Sequence, residues 1–222
     1  MKPLKESFIK AKDLDNLNKK KYVLTDETID LNGHTLHRIQ ALKNIPSKKV
    51  KKGDLGGWIE SYDNLDQKGD CWVANNAQVY RNAKVYDNAL VYNDAVVYGN
   101  AKVYGEAQVY DTAYVYDDAE IYGNAKVYGV STVCNYAKVY NDAEVCDWAT
   151  VYGSAQVYGD AKVYDSAQVY SKTKVFDNAY VYGDAHICGT AQVYGKAQIY
   201  GNAWINGNAK VDYDVNKGKI NK

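Results

Sequence analysis

The sequence predicts an all-β rod. It is a three-sided parallel β-helix with 18 residues per coil and about eight coils, preceded by a small N-terminal α+β cap. Three observations lead there. From residue 71 to about 212 the chain repeats every six residues without insertion or deletion. Val or Ile fills all 24 positions from Val73 to Val211 at steps of six. Of 222 residues, 23 are Tyr while only 2 are Phe, 1 is Met and 2 are Pro, a composition poor in the side chains of an ordinary globular core.

The hexad reads Ala-x-Val-Tyr and then two residues drawn mainly from Gly, Asp, Asn and Ser, as in Ala83-Lys84-Val85-Tyr86-Asp87-Asn88. The Ala column runs from Ala77 to Ala209, interrupted only by Ser131 and Thr173. Tyr follows Val at 17 of the 21 positions from Tyr80 to Tyr200, and Phe176, Cys134, Cys146 and Cys188 take the others. Ala and Val stand two apart, so both point to one side of a strand, while x and Tyr point to the other. The pair after Tyr tolerates left-handed backbone and turns the chain. Each hexad is therefore one short strand and one corner. Three hexads close a triangle whose interior, lined by Ala and Val, is a narrow prism. The 24 hexads make 8 coils, which stack as parallel strands about 4.8 Å apart into a rod of roughly 38 Å. A period of six does not mark a 3.6-residue helical face, and Val and Tyr favour strands.

In chain order, residues 1–54 form the cap, 55–212 the β-helix and 213–222 a C-terminal tail. A β-helix exposes two raw edges that need covering. In the cap, Leu4, Phe8, Ala11, Leu14 and Leu17 share one side of a helical wheel, the pattern of a short amphipathic helix. Asn32-Gly33 separates two alternating segments, a two-residue hairpin signal. Lys48 to Lys52 reads as a basic, solvated loop. Leu55, Ile59, Leu65 and Cys71 fall in phase with the later Val and Ala columns, which makes 55–71 an irregular first coil. The tail after Val211 closes or frays from the far end.

Hexads of Val or Ile, two turn residues and Ala resemble the hexapeptide-repeat, left-handed parallel β-helix superfamily. The left hand is implied by that resemblance, because the usual crossover preference is right-handed. Upstream, Gly56-Gly57-Trp58-Ile59-Glu60, Asn64-Leu65 and Gly69-Asp70-Cys71-Trp72-Val73 resemble a bacterial and phage family whose members carry transferase or polymer-forming labels. The likeness spans roughly residues 36 to 211. It implies a fold more than an activity, and phage-borne members imply an accessory role in an infected cell. Many hexapeptide β-helices are acyltransferases, which implies an alternative function with a site between subunits. Those enzymes use a loop extruded from the helix and a His base. Here the phase never breaks between 71 and 211, and His186 is the one His in that stretch.

The 18-residue coil sorts the outward residues onto three faces. Face one carries Gln78/Tyr80, Val96/Tyr98, Tyr114/Tyr116, Thr132/Cys134, Thr150/Tyr152, Gln168/Tyr170, His186/Cys188 and Trp204/Asn206, with no Lys, Arg, Asp or Glu. A charge-free aromatic strip of that length exceeds what a soluble monomer usually exposes. Tyr80, Val96, Tyr98, Tyr114, Tyr116, Tyr152, Tyr170, His186 and Trp204 are thus the expected self-association surface of a homo-oligomer. Face two alternates cations with rings: Lys84/Tyr86, Lys102/Tyr104, Glu120/Tyr122, Lys138/Tyr140, Gln156/Tyr158, Lys174/Phe176, Gln192/Tyr194 and Lys210/Asp212. Lysines beside stacked rings suit an anionic planar ligand such as a nucleotide, although the same lysines also keep a strand face solvated. Face three is mixed. Rings one coil apart fall within offset-stacking range, so the tyrosines also stiffen the rod.

Composition excludes several classes. Lys+Arg and Asp+Glu both number 27, which argues against a dedicated DNA binder. Corner carboxylates such as Asp87, Asp117, Asp118, Asp142 and Asp160 oppose long nucleic acids. No apolar run is long enough to span a membrane, and the N-terminus lacks a secretory pattern. Cys134 and Cys188 share a face but lie three coils apart, about 14 Å, too far to bridge. Cys146 lies on another face and Cys71 points inward, so a reduced cytoplasmic protein is expected. His34 and His37, three apart in a strand, fall on opposite faces and suit no shared metal. No cofactor motif or paired catalytic carboxylates are seen. The corner Asp residues lack the calcium-binding nonapeptide pattern, and ice binding would need Thr ladders where only Thr132 and Thr150 face outward. The expected function is a non-enzymatic binding or scaffold protein that self-associates and takes a protein partner or a small anionic ligand. The alternatives are the acyltransferase and a purely structural assembly protein.

Overall fold

In every hexad the x-Val dipeptide is the strand, as in Lys84–Val85, and the residue after Tyr bends the chain. The structure, a computed structural model, describes residues 19–221. The amphipathic segment at Leu4, Phe8, Ala11, Leu14 and Leu17 lies outside the described residues. Each strand of the repeat pairs in parallel with the strand 18 residues on: Lys102 opposes Glu120 and Val103 opposes Ile121. Three parallel sheets form the sides of a β-helix of about nine turns. The Val and Ala columns fill its interior and are at most 1% exposed from Val73 to Val211. Branched Val packs against small Ala, and Ile takes the place of Val at Ile121, Ile187, Ile199 and Ile205 without leaving the core.

The corners explain the Gly/Asp/Asn preference. The first corner residue has positive φ at all 23 positions from Asn75 to Gly207. Eleven of these are Gly and ten are Asn or Asp, the residues that tolerate left-handed backbone, leaving Arg81 and Ser171 as the departures. Asx side chains also tie coils together: Asp87 Oδ2 accepts the Gly105 N–H at 3.3 Å and Asp177 Oδ2 accepts the Gly195 N–H at 3.1 Å. Gly99 sits at φ +75°, where a Cβ would lie 2.7 Å from Asp117 N. Gly99→Val should therefore cost about 2 kcal/mol, roughly a 5 °C loss in Tm. Gly99→Asn meets the same Cβ contact but should lose less, because Asn tolerates the left-handed backbone, as Asn93 and Asn135 do at equivalent corners. Thermal melts of the two variants check this.

The cap is a hairpin that extends face one. Strand β1 (Tyr22–Leu31) pairs antiparallel with β2 (His34–Ala41) across Asn32 (φ 54°) and Gly33 (φ 84°), and β2 pairs antiparallel with β3 (Leu55–Ile59). Strand β3 opposes Gln78-Val79 in parallel and so begins the rod. Tyr22, Ile39 and Ala41 continue the prism core, while Leu36 packs outside against Trp58 and Tyr80. The first coil's carbonyls meet donors from the cap. The buried Lys21 ammonium bonds Cys71 O (2.8 Å) and Lys68 O (3.1 Å), and the Tyr22 hydroxyl bonds Leu65 O (2.6 Å).

Several expectations need correction. The phase puts Ile59 and Leu65 in the Ala column, but Ile59 opposes Val79 and Leu65 opposes Val85, both in the Val column. The spacing there is 20 residues, because the hexad phase shifts by two between Leu65 and Val73. Leu55 is 51% exposed and does not enter the core. The Lys48–Lys52 segment is solvated only in part: Lys49, Lys51 and Lys52 are exposed, but its other two residues are drawn in. Val50 is buried and bridged to Ile45. The Lys48 side chain is only 11% exposed and lies 3.8 Å from Glu106. Beyond Val211 the chain continues as a shortened coil: Val215 pairs with Ile199, and Lys219–Asn221 pairs in parallel with Trp204–Asn206.

Candidate functional site

The outward faces are where this rod meets other molecules. Face two holds an unbroken stack from Tyr86 through Tyr104, Tyr122, Tyr140, Tyr158 and Phe176 to Tyr194, with centroids 4.8–5.3 Å apart. Inserting a flat ring between two others needs roughly 7 Å, so the interior of the ladder is closed. Burial pushes the Tyr140 phenol up to about 12, with Tyr122 and Tyr158 adding to the effect, so the ladder stays uncharged.

The lysines of that face are unequal. Glu120 sits between Lys102 (3.4 Å) and Lys138 (3.1 Å), which stand one coil before and after it. Glu144 does the same for Lys126 (3.7 Å) and Lys162 (3.2 Å) on face three. Lys84 and Lys174 have no carboxylate within ion-pair distance among the described residues. The basic face is therefore partly neutralised in its middle. Burial alone would raise the Glu120 pKa, but the two ammonium groups outweigh it and hold the carboxyl below its ordinary value. Glu120→Gln should cost about 1 kcal/mol at neutral pH. A depressed carboxylate stabilises above its unfolded value of about 4.3 and loses that contribution as pH falls through its lower folded value. Melts of wild type and variant should therefore converge at acid pH.

Face one is interrupted. Tyr80, Tyr98 and Tyr116 stack at 5.2 and 4.9 Å, and Tyr152 stacks on Tyr170 at 4.8 Å, but Cys134 leaves a dent between the two runs. His186 stacks on Trp204 at 5.3 Å, and the Trp204 indole N–H bonds Cys188 Sγ at 3.1 Å. Tyr80 is only 8% exposed beneath Leu36, so it is withdrawn from the expected association surface. The face is not free of charge at its ends. The Arg81 guanidinium lies 5.7 Å from the Tyr98 ring and the Lys219 ammonium 5.5 Å from the Trp204 ring.

The structure adds residues that the face assignment missed. Val130 (47% exposed) and Trp148 (67%) sit in successive coils at the corner leading into face one, and Tyr136 (65%) sits at the corner leaving it. Tyr114 (43%) is exposed on face one itself, opposite Thr132, so exposed apolar side chains stand on this face and at both of its corners near Cys134. Their signal was present in the sequence as large apolar residues at second-corner positions. A second missed group is the clasp of His34, Glu60 and Arg81. His34 Nδ1 and Glu60 Oε1 are 2.8 Å apart, Glu60 Oε2 accepts the Arg81 backbone N–H at 2.6 Å, and Arg81 Nε–H donates to His34 Nε2 at 3.4 Å. Burial would raise the Glu60 carboxyl, but its hydrogen bonds from His34 and Arg81 hold it low. His37 turns away to the Thr25 carbonyl at 3.1 Å. Among the described residues no group of three His, Cys, Asp or Glu could hold a metal ion, and no helix is long and apolar enough to cross a membrane.

Three stretches of the rod, residues 83–99, 155–171 and 197–211, match the family described as the YdcK beta solenoid repeat. The chain is a β-solenoid repeat protein. No curated protein matches it. The matched stretches are regular coils of the solenoid and do not include the clasp or these exposed apolar residues.

Proposed function

We propose that this β-solenoid acts by binding and not by catalysis, and that its first partner is a second copy of itself across face one. The observation that carries this is that exposed Tyr114 lies on face one with exposed Val130 and Trp148 at one corner and exposed Tyr136 at the other, all near the rod's middle. Exposed apolar groups scattered singly need no explanation, but a contiguous patch does. The seven rungs from Val96 to Trp204 make a strip roughly 34 Å long and about 15 Å wide. Pairing it would bury ~1,000 Å² in total, the lower bound of a specific interface. The cytoplasm suits four free thiols. The accessory role implied by the phage-borne likeness of the lead-in motif fits a protein that works by occupying a surface. A small anionic ligand on face two is the second cargo of the same reading. Sedimentation velocity at micromolar concentration should give twice the chain mass of 24.8 kDa, and a monomer at every concentration would reject the pairing. Incubation with acetyl-CoA should give no turnover, and steady release of CoA would overturn the non-catalytic reading.

A further inference from the structure

A pocket of about 380 Å³ lies at the head of face one, between the cap hairpin and the first rungs of the rod. The hairpin contributes Leu31 and Asn32, at its turn. The rod contributes the rings of Tyr80, Tyr98 and Tyr114, the Val96 side chain and the Gln78 amide. Tyr80 stacks on Tyr98 at 5.2 Å, and Tyr114 opposes Val96 in the next coil and is 43% exposed. An apolar, ring-lined wall with a few polar groups is the make-up of a small-molecule site, and the volume is in the range of such sites.

The charge of this pocket has one sign. No carboxylate lines it, and Arg81 is its one charged residue. Burial pushes the Tyr80 and Tyr98 phenols up, so neither ring adds negative charge. The Arg81 guanidinium lies 5.7 Å from the Tyr98 ring and 6.0 Å from the Tyr80 ring, over the same rings that line the pocket. It is held there from behind. Its Nε–H donates to His34 Nε2 at 3.4 Å, and His34 Nδ1, which then carries the ring proton, meets Glu60 Oε1 at 2.8 Å. Glu60 Oε2 is taken by the Arg81 backbone N–H at 2.6 Å, and neither His34 nor Glu60 lines the pocket. Nη1 and Nη2 of the guanidinium make no hydrogen bond among the described residues. Arg81 also holds a left-handed corner, φ 57°, that the rod otherwise gives to Gly, Asn, Asp and once Ser. Backbone strain of this kind persists where a side chain is needed at that spot. A planar fork with its two outer nitrogens free matches the two oxygens of a carboxylate.

We propose that this pocket binds a small aryl carboxylate, its ring against Val96 and Tyr114 and its carboxylate held by Arg81. This rests on the binding reading above, whose anionic cargo it moves from face two to the head of face one, and does not depend on self-association. Isothermal titration calorimetry on the full chain tests it with phenylacetate, with phenylacetamide, which keeps the shape without the charge, and with acetate, which lacks the ring. Phenylacetate should bind at least about tenfold more tightly than either of the others. Arg81→Asn keeps a residue suited to the corner and should weaken phenylacetate about tenfold while leaving phenylacetamide unchanged. Val96→Glu sets a carboxylate in the wall, at an outward hexad position that Glu120 and Glu144 already occupy elsewhere, and should weaken phenylacetate at least as much. Lys196→Ala, an exposed cation far along the rod, should change nothing. Absence of heat with millimolar phenylacetate, phenylacetamide binding as tightly as phenylacetate, or phenylacetate binding indifferent to Arg81→Asn would each overturn the site. Trp148→Glu, which addresses pairing of the rods, should leave phenylacetate binding intact, so the two readings fail separately.

Discussion

Val127→Asp is expected to unfold the rod at ordinary temperature. Val127 lies mid-rod on face three, fully buried between Val109 and Val145 of the adjoining coils. The substitution forfeits about 2 kcal/mol of apolar burial. It also places a carboxyl in a prism lined by methyl groups, where no donor can reach it. Such a group takes up a proton or remains charged at a cost of several kcal/mol. The sum, on the order of 5 kcal/mol, rivals the whole stability of a typical domain. A solenoid has no distant contacts to compensate, because each coil touches only its neighbours. Far-ultraviolet circular dichroism should show loss of the cooperative melt, and limited proteolysis should cut near the lesion first. Ser131→Ala is the matched control. Ser131 is buried in the Ala column, and its hydroxyl makes one long bond to Val145 O at 3.4 Å. Restoring the column's own residue should change stability by less than about 1 kcal/mol. Equal tolerance of both changes would mean that the prism is not the source of stability.

The same periodicity explains what could be read from the sequence. A six-residue repeat with an unbroken phase fixes inside, outside and corner for every residue from 71 to 211. It also fixes the pairing of each strand with its neighbour 18 residues on. The Lys102–Glu120–Lys138 arrangement follows from that register alone, because residues 18 apart in one column must stand side by side. Where the period stops, the reading loses its ruler. Ile59 and Leu65 keep the hexad spacing, but the phase shifts by two before Val73, so the columns misplace them. The cap is held by contacts that occur once. Lys21 meets the Lys68 and Cys71 carbonyls, and His34 meets Glu60 and Arg81. Nothing in their spacing of 26 to 50 residues announces these pairings. The apolar corners are an intermediate case. Val130, Tyr136 and Trp148 are visible as breaks in the corner composition, but only the triangular cross-section shows that they flank face one.

Trp148→Glu should convert the self-associated protein to monomer. Trp148 is chosen over the ladder tyrosines because each of those rings is partly buried against its neighbours, so their loss would damage the rod itself. At 67% exposure the Trp148 side chain contributes little to the fold and much to the exposed apolar surface near Cys134. In a two-fold pairing every substitution appears twice, so two carboxylates would be brought out of water at one interface. Taken at about 1.4 kcal/mol for each copy, the dissociation constant should rise on the order of a hundredfold. An interface near the lower bound of specific association would not survive that at micromolar concentration. Light scattering coupled to size exclusion should then report one chain's mass, with an unchanged thermal midpoint. Lys210→Glu on face two introduces the same carboxylate on a surface outside the proposed contact, and it should leave the assembly intact. The opposite pattern, a monomer from Lys210→Glu and an undisturbed assembly from Trp148→Glu, would move the interface to face two.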